Sequence, residues 1–127
     1  AQPGIQRKNR EDRGGLEMNK FNAIATTVDG IRFDSLKEAR RWGQLRLLEK
    51  GGKIRNLRRQ VRIDLEGKNG PLRTRTGRQM RLTVDFVYED QRLNWAEVYE
   101  DSKVAITRDY EVRRAVAQAM GLEVIET

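Results

Sequence analysis

The sequence predicts an α/β domain with a central mixed β-sheet flanked by helices. Three observations carry this. Apolar residues alternate with polar ones in two stretches, Val61/Ile63/Leu65 and Leu82/Val84/Phe86/Tyr88, the period of a half-buried strand. Two other stretches carry helical spacing between a start and a stop signal, from Ser35 to Gly51-Gly52 and from Thr107 to Gly121. The two kinds alternate along the chain as β-α-β-β-β-α-β, which calls for a layered sheet with helices on its faces.

Residues 1–19 are polar, contain Pro3, Gly4, Gly14 and Gly15, and show no periodicity. They are expected to be a flexible arm, with the folded domain over 20–127. From Phe21 to Phe33 the β-branched residues Ile24, Thr26, Thr27, Val28 and Ile31 are broken by Asp29-Gly30, a hairpin or tight turn. Ser35-Leu36-Lys37-Glu38 fits a capping box, and Leu36, Ala39, Trp42, Leu45 and Leu48 are expected on the buried face of the helix that follows. Ile54 to Leu65 reads as a strand. Glu66 to Gly77, with Gly67, Gly70, Pro71 and Gly77, reads as a mobile basic loop. Met80 to Glu89 is a strand with Leu82, Val84, Phe86 and Tyr88 on one face and Thr83, Asp85 and Val87 on the other. Asp90-Gln91-Arg92 turns the chain into a strand over Leu93 to Lys103. Thr107 caps a last helix with Val112, Ala115, Val116, Ala119 and Met120 on its apolar face, and Leu122 to Ile125 closes the sheet.

Composition narrows the chemistry. The 127 residues include no cysteine and no histidine, which excludes disulfides, thiolate zinc, imidazole ligands and Ser-His or Cys-His catalysis. Any reaction must run on carboxylates, lysine, tyrosine, hydroxyls and a hard metal ion. No apolar run approaches the ~20 residues of a membrane span, and the N-terminus has no apolar stretch of the signal-peptide kind. An intracellular, non-membrane protein is expected. The net charge is +7, and between Lys53 and Arg81 ten cations face only Asp64 and Glu66. Eight of the ten are arginine, the better fork for phosphate. Arg55, Arg58, Arg59, Arg62, Arg73, Arg75, Arg78 and Arg81, with Gln60, are therefore candidate nucleic-acid contacts. A solvated, solubilising face is the plainer alternative.

Asp85 interrupts an apolar strand, where a carboxylate must be paired, hydrogen-bonded or metal-bound. Sixteen positions later comes Asp101-Ser102-Lys103. Strand residues two apart share a face, so Asp101 and Lys103 point the same way, on a strand next to that of Asp85. Glu38, on the first helix, offers a third carboxylate. Converging carboxylates suit Mg²⁺, or Mn²⁺ in its place. Such an ion activates water and offsets the charge of a phosphorane, and a lysine stabilises the transition state. Each residue also has a structural reading. Glu38 completes the capping box, Asp85 caps a strand end, and Asp101 with Lys103 forms a local ion pair.

The stretch NKFNAIATTVDGIRFDSLKEARRWGQLRLLEKGGKIRNLRRQ (Asn19 to Gln60) resembles the start of a phage nuclease-like family known mainly as a domain of unknown function. VDFVY (Val84 to Tyr88), EDSK (Glu100 to Lys103) and TRDYEVRRAVAQAMGLEV (Thr107 to Val124) extend the likeness to nearly the whole chain. That family resembles the PD-(D/E)xK nuclease superfamily, with phage endonuclease I and other Holliday-junction-resolving enzymes as nearest characterised relatives. The resemblance implies a restriction-endonuclease-like fold, a Mg²⁺-dependent DNA endonuclease, and a homodimer acting on branched or duplex DNA in the host-cell cytoplasm. It implies Glu38 as the helix carboxylate, Asp85 as the "PD" aspartate and Asp101 with Lys103 as the "(D/E)xK" pair. The Ser102 carbonyl becomes a further metal ligand, and Gln60 a glutamine bordering the site. The chain departs from the pattern in having Val84 before Asp85, Asp101 in place of glutamate, and Val104 in place of a glycine after the lysine. Glu100 would face the opposite side of the strand. A Holliday-junction resolvase is the leading expectation. The rivals are a nicking or mismatch-directed nuclease of the same superfamily, a non-catalytic DNA-binding accessory on the same fold, and, more weakly, an RNA-binding basic protein.

Overall fold

A computed structural model of the chain describes residues 17–18, 24–102 and 106–127. The chain forms two compact units, residues 1–44 and 45–127, and the division falls inside a helix. In the first unit, β1 (Glu17–Met18), β2 (Ile24–Val28) and β3 (Ile31–Phe33) form an antiparallel sheet in that order. Val28 pairs with Ile31, and Asp29 and Gly30 between them take φ of 53° and 77°. Two successive residues at positive φ close a tight hairpin, and Asp-Gly accepts that conformation at low cost. Glu17 and Met18 fall within the stretch expected as an arm, and the rest of that stretch lies outside the described residues.

Helix α1 (Leu36–Lys50) begins at Ser35, whose Oγ accepts the Glu38 N–H at 3.1 Å. It ends in a Schellman motif: the Lys53 N–H donates to the Leu48 carbonyl and the Gly52 N–H to that of Glu49, with Gly52 at φ 75°. Ala39, Trp42 and Leu45 are buried as expected, and the rings of Phe33 and Trp42 lie 6.1 Å apart. Leu48 is exposed instead. A series spaced by threes drifts about 60° per step around a helix of 3.6 residues per turn, so Leu48 has rotated to the far side from Ala39.

In the second unit, β4 (Ile54–Asp64) leads into a short hairpin of β5 (Glu66–Gly67) and β6 (Gly70–Pro71), then β7 (Arg81–Asp90) and β8 (Ala96–Asp101). Helix α2 (Arg108–Ala119) and β9 (Val124–Glu126) complete it. The sheet runs β4-β7-β8-β9, antiparallel except for the parallel β8–β9 pair, and is thus mixed. The expected loop over Glu66 to Gly77 is a hydrogen-bonded structure. Leu65, Leu72 and Met80 exchange backbone bonds, Thr74 bonds Arg78, and the Gln79 side-chain amide donates to the carbonyls of Leu65, Leu72 and Met80. Glycine and proline content signalled a loop because side-chain-to-backbone bonds of this kind leave no periodicity.

Between β7 and β8 a 3₁₀ turn over Gln91–Leu93 is capped by the Asp90 carboxylate, and Asn94 and Trp95 reverse the chain at φ 57° and 66°. Strand β8 therefore starts at Ala96, later than expected.

Two further expectations change. Val87 was expected with Asp85 on the face opposite Val84, yet Val84 and Val87 join one apolar cluster with Ile63, Leu65, Leu82, Tyr110, Ala117 and Val124. Strict alternation fails between them, beside Gln60, which sits within β4 at φ 54°. The register of the ladder itself shifts elsewhere, between Arg55 and Arg58, where Asn56 takes φ 56°. On α2, Thr107 caps as expected, but the buried residues are Tyr110 and Ala117, while Val112 and Met120 are exposed. Val116 is half-buried against the core as expected, and Arg113 and Arg114 are half-buried beside Tyr110 and Ala117. Arginine counts as strongly polar however much of its stem is covered, which hides these positions from a hydropathy count. Gly121, at φ 96°, ends the helix in a second Schellman motif. Among the described residues, no helix is long and apolar enough to cross a membrane.

Candidate active site

The site begins with strand register. Phe86 pairs with Glu100 and Val87 with Tyr99, so the next rung sets Asp85 opposite Asp101. At that rung Asp101 Oδ1 accepts the Asp85 N–H at 3.2 Å, and Asp85 Oδ2 accepts the Ser102 N–H at 2.8 Å. The Gln60 side-chain amide donates to Asp85 Oδ1 at 3.2 Å. Strand β8 ends at Asp101, whereas β7 runs on to Arg81, so the two aspartates lie where the ladder stops. Asp101 and Ser102 are buried and Asp85 is half-buried.

The floor of this site is held from below. The Asp101 carbonyl accepts the Thr127 N–H at 3.0 Å, and the Ser102 and Thr127 hydroxyls lie 3.1 Å apart. Tyr110 donates its hydroxyl to Glu126 at 2.9 Å. Burial first, then that bond and the negative charge of Asp101, push the Tyr110 phenol well above its ordinary value, so it stays protonated and donating. Glu100, next to Asp101, is buried and takes the Tyr88 hydroxyl, on the side of β8 that alternation assigns to it.

Of the expected site residues, the structure brings Asp85, Asp101, Ser102 and Gln60 together. Glu38 is buried in the first turn of α1, in the other compact unit. Lys103 lies outside the described residues. The two aspartates offer hard oxygen donors suited to Mg²⁺ or Mn²⁺. Among the described residues no group of three or more acidic side chains gathers as a metal centre.

The basic stripe proves unequal along its length. Arg55 pairs with Glu89 at 2.6 Å and stacks 4.1 Å over Trp95; Arg58 pairs with Glu97 at 2.7 Å. The Arg58 bond first, then that of Tyr99, holds the Glu97 carboxyl below its ordinary range, and the Arg55 and Asn56 bonds do the same for Glu89. These acids come from β7 and β8, so a charge count along the chain could not see them. Arg81 pairs with Asp64 at 2.7 Å, and Arg73 donates to the Gly77 carbonyl. Arg59 is half-buried, while Arg62, Arg75 and Arg78 are exposed. Sequence reasoning missed Arg113, whose guanidinium donates to the Arg81 carbonyl at 2.7 Å and carries α2 to the edge of β7. Its place in the i, i+3 series from Tyr110 was the available signal.

No match was found among curated proteins or among solved structures. One family matches residues 18–124, and on that extent the chain belongs to the family described as Protein of unknown function (DUF1064).

Proposed function

We propose that the chain is a metal-dependent endonuclease that hydrolyses DNA phosphodiester bonds on a restriction-endonuclease-like fold, foremost as a Holliday-junction resolvase. The Asp85–Asp101 pair carries this reading: two aspartates on adjacent strands, fixed by backbone N–H groups at the end of a ladder, with Lys103 two positions further on. The donors are all oxygen, which fits a hard divalent cation. Asp85, Asp101 and the Ser102 carbonyl would hold Mg²⁺, with Mn²⁺ as a substitute. When bound, such an ion would supply a water of lowered pKa and a counter-charge for the phosphate under attack. The chain's own groups do the rest. Gln60 and the Ser102 N–H fix the two oxygens of Asp85, and Lys103 would supply an ammonium for the developing negative charge. The arginines of β4 and its neighbouring hairpin draw in the phosphate backbone. The junction preference follows from the likeness to phage junction-resolving enzymes, and two symmetric cuts call for a homodimer with two sites.

One observation favours a second reading. Backbone N–H groups already occupy Asp101 Oδ1 and Asp85 Oδ2, as a purely structural strand end would have it. That suits a non-catalytic DNA-binding accessory.

Cleavage of a labelled four-way DNA junction, beside linear duplex, in Mg²⁺ and in EDTA, separates these readings. The wild type is expected to make paired symmetric cuts with Mg²⁺ alone, and Asp85→Ala and Lys103→Ala to bind without cutting. Equal cutting of duplex would remove the junction preference and leave a nuclease of the nicking or mismatch-directed kind. Binding without cutting by all three proteins would make the accessory reading the better one.

A further inference from the structure

A pocket of about 580 Å³ opens where β4 passes into the hairpin and β7 begins. Four arginines line it: Arg62 from β4, Arg78 and Arg81 at the entrance to β7, and Arg113 from α2, with the hydroxyls of Thr74 and Thr83. Among the described residues, no acidic one lines it. Asp64 pairs with Arg81 and Asp109 with Arg113, at 2.7 and 2.9 Å. The guanidiniums of Arg62 and Arg78 make no ion pair or hydrogen bond with any described residue. Like charges gathered around a concave wall repel one another and focus a positive potential into it, which an anion relieves. Arginine forks with flanking hydroxyls suit a phosphate's oxygens.

Position gives the phosphate a source. Thr83 and Arg81 stand two and four residues along β7 from Asp85, roughly 7 and 13 Å at about 3.3 Å per residue. That is about two to four nucleotides of one strand at its rise of about 3.4 Å. Beyond the last rung with β8, this part of β7 has no strand on that side among the described residues, and Arg113 donates to the Arg81 carbonyl there.

We propose that this arginine pocket grips a backbone phosphate of bound DNA a few nucleotides from the Asp85–Asp101 pair. It sets the register of the strand on the site. The placement relative to a cut bond rests on the nuclease reading; the phosphate preference rests on the pocket alone.

The test uses the full chain in EDTA, so that binding is read without cutting. The affinity for a labelled four-way junction is measured against NaCl concentration for the wild type, Arg62→Ala/Arg78→Ala and Arg62→Lys/Arg78→Lys. Melting temperatures are recorded beside each. The alanine pair is expected to lose tenfold or more in affinity and to flatten the log–log salt slope by about two, while the lysine pair keeps the slope. An unchanged slope in a folded alanine pair overturns the proposal. So does calorimetric binding of inorganic phosphate that the alanine pair loses while its DNA slope stays, since that assigns the pocket to a small free anion. A flattened slope in a chain that cuts no DNA in Mg²⁺ upholds the pocket and ends the nuclease reading. Cutting with an unchanged slope does the reverse.

Discussion

Asp85 and Asp101 hold each other: the side chain of Asp101 takes the backbone N–H of Asp85, and the side chain of Asp85 takes the N–H of Ser102, which follows Asp101. Each aspartate thus fixes the strand that presents the other. Replacing either with asparagine keeps an acceptor oxygen but removes charge. Asp85→Asn is expected to fold and bind DNA while losing on the order of a hundredfold or more in cleavage. Asp101→Ala leaves the Asp85 N–H without this acceptor and is expected to cost about 1–3 kcal/mol. In a double-mutant cycle by urea unfolding, Asp85→Ala and Asp101→Ala should be less than additive. Strict additivity would show the two bonds to be independent.

Gln60 separates stability from function. At φ 54° it sits in a region that penalises any Cβ, and its amide holds Asp85. Alanine normally outperforms glycine within a regular element. Here the order is expected to reverse, with Gln60→Gly about 1 kcal/mol more stable than Gln60→Ala in chemical denaturation. Both lose the amide, so both should lose cleavage to the same degree. A more stable alanine variant would refute the backbone argument.

Glu100 and Asp101 are neighbours with opposite duties. Glu100 is buried and bonded by the Tyr88 hydroxyl. Tyr88→Phe removes a donor from that carboxyl and is expected to cost about 1.5–3 kcal/mol in thermal or urea unfolding. Cleavage by the folded fraction should persist. Loss of cleavage at full stability would move Glu100 into the site.

The ion pairs across the sheet predict a response to acid. Arg58 holds Glu97, and Arg55 holds Glu89, below the ordinary value of 4.5, and Arg92 holds Asp90 below 3.8. For a carboxyl depressed in the folded state, the stabilisation is complete above its ordinary value and fades as pH falls through the depressed one. The melting-temperature gap between wild type and Glu97→Gln is expected to be largest near neutrality and to close in strong acid. It should be modest and shrink in high salt, because the pair is well exposed. A gap that widens in acid would reverse the assignment.

The elements that the sequence made legible are those whose signals are local. Ser35 and Thr107 at helix starts, glycine turns at Gly52 and Gly121, and Asp29-Gly30 in its hairpin all act within a few residues. The strands of Asp85 and Asp101 were legible because period two and a buried acid are visible in one dimension. What escaped notice depends on partners distant in sequence. Glu89 and Glu97 neutralise arginines more than thirty positions earlier. Arg113 and Arg114 pass for surface cations, yet both are half-buried. The left-handed conformation of Gln60 within a strand has no composition signal at all.

The Gln79 side chain gives its hydrogens to three main-chain carbonyls at once. Only an amide can do so while staying neutral. Hydrolysis of that amide, in which water adds and ammonia leaves, would turn the donor into a carboxylate facing three oxygen lone pairs, and the segment carrying Arg73, Arg75 and Arg78 would lose its clasp. Stored or aged protein that has undergone this one-dalton change should release the hairpin first, long before the sheet itself fails.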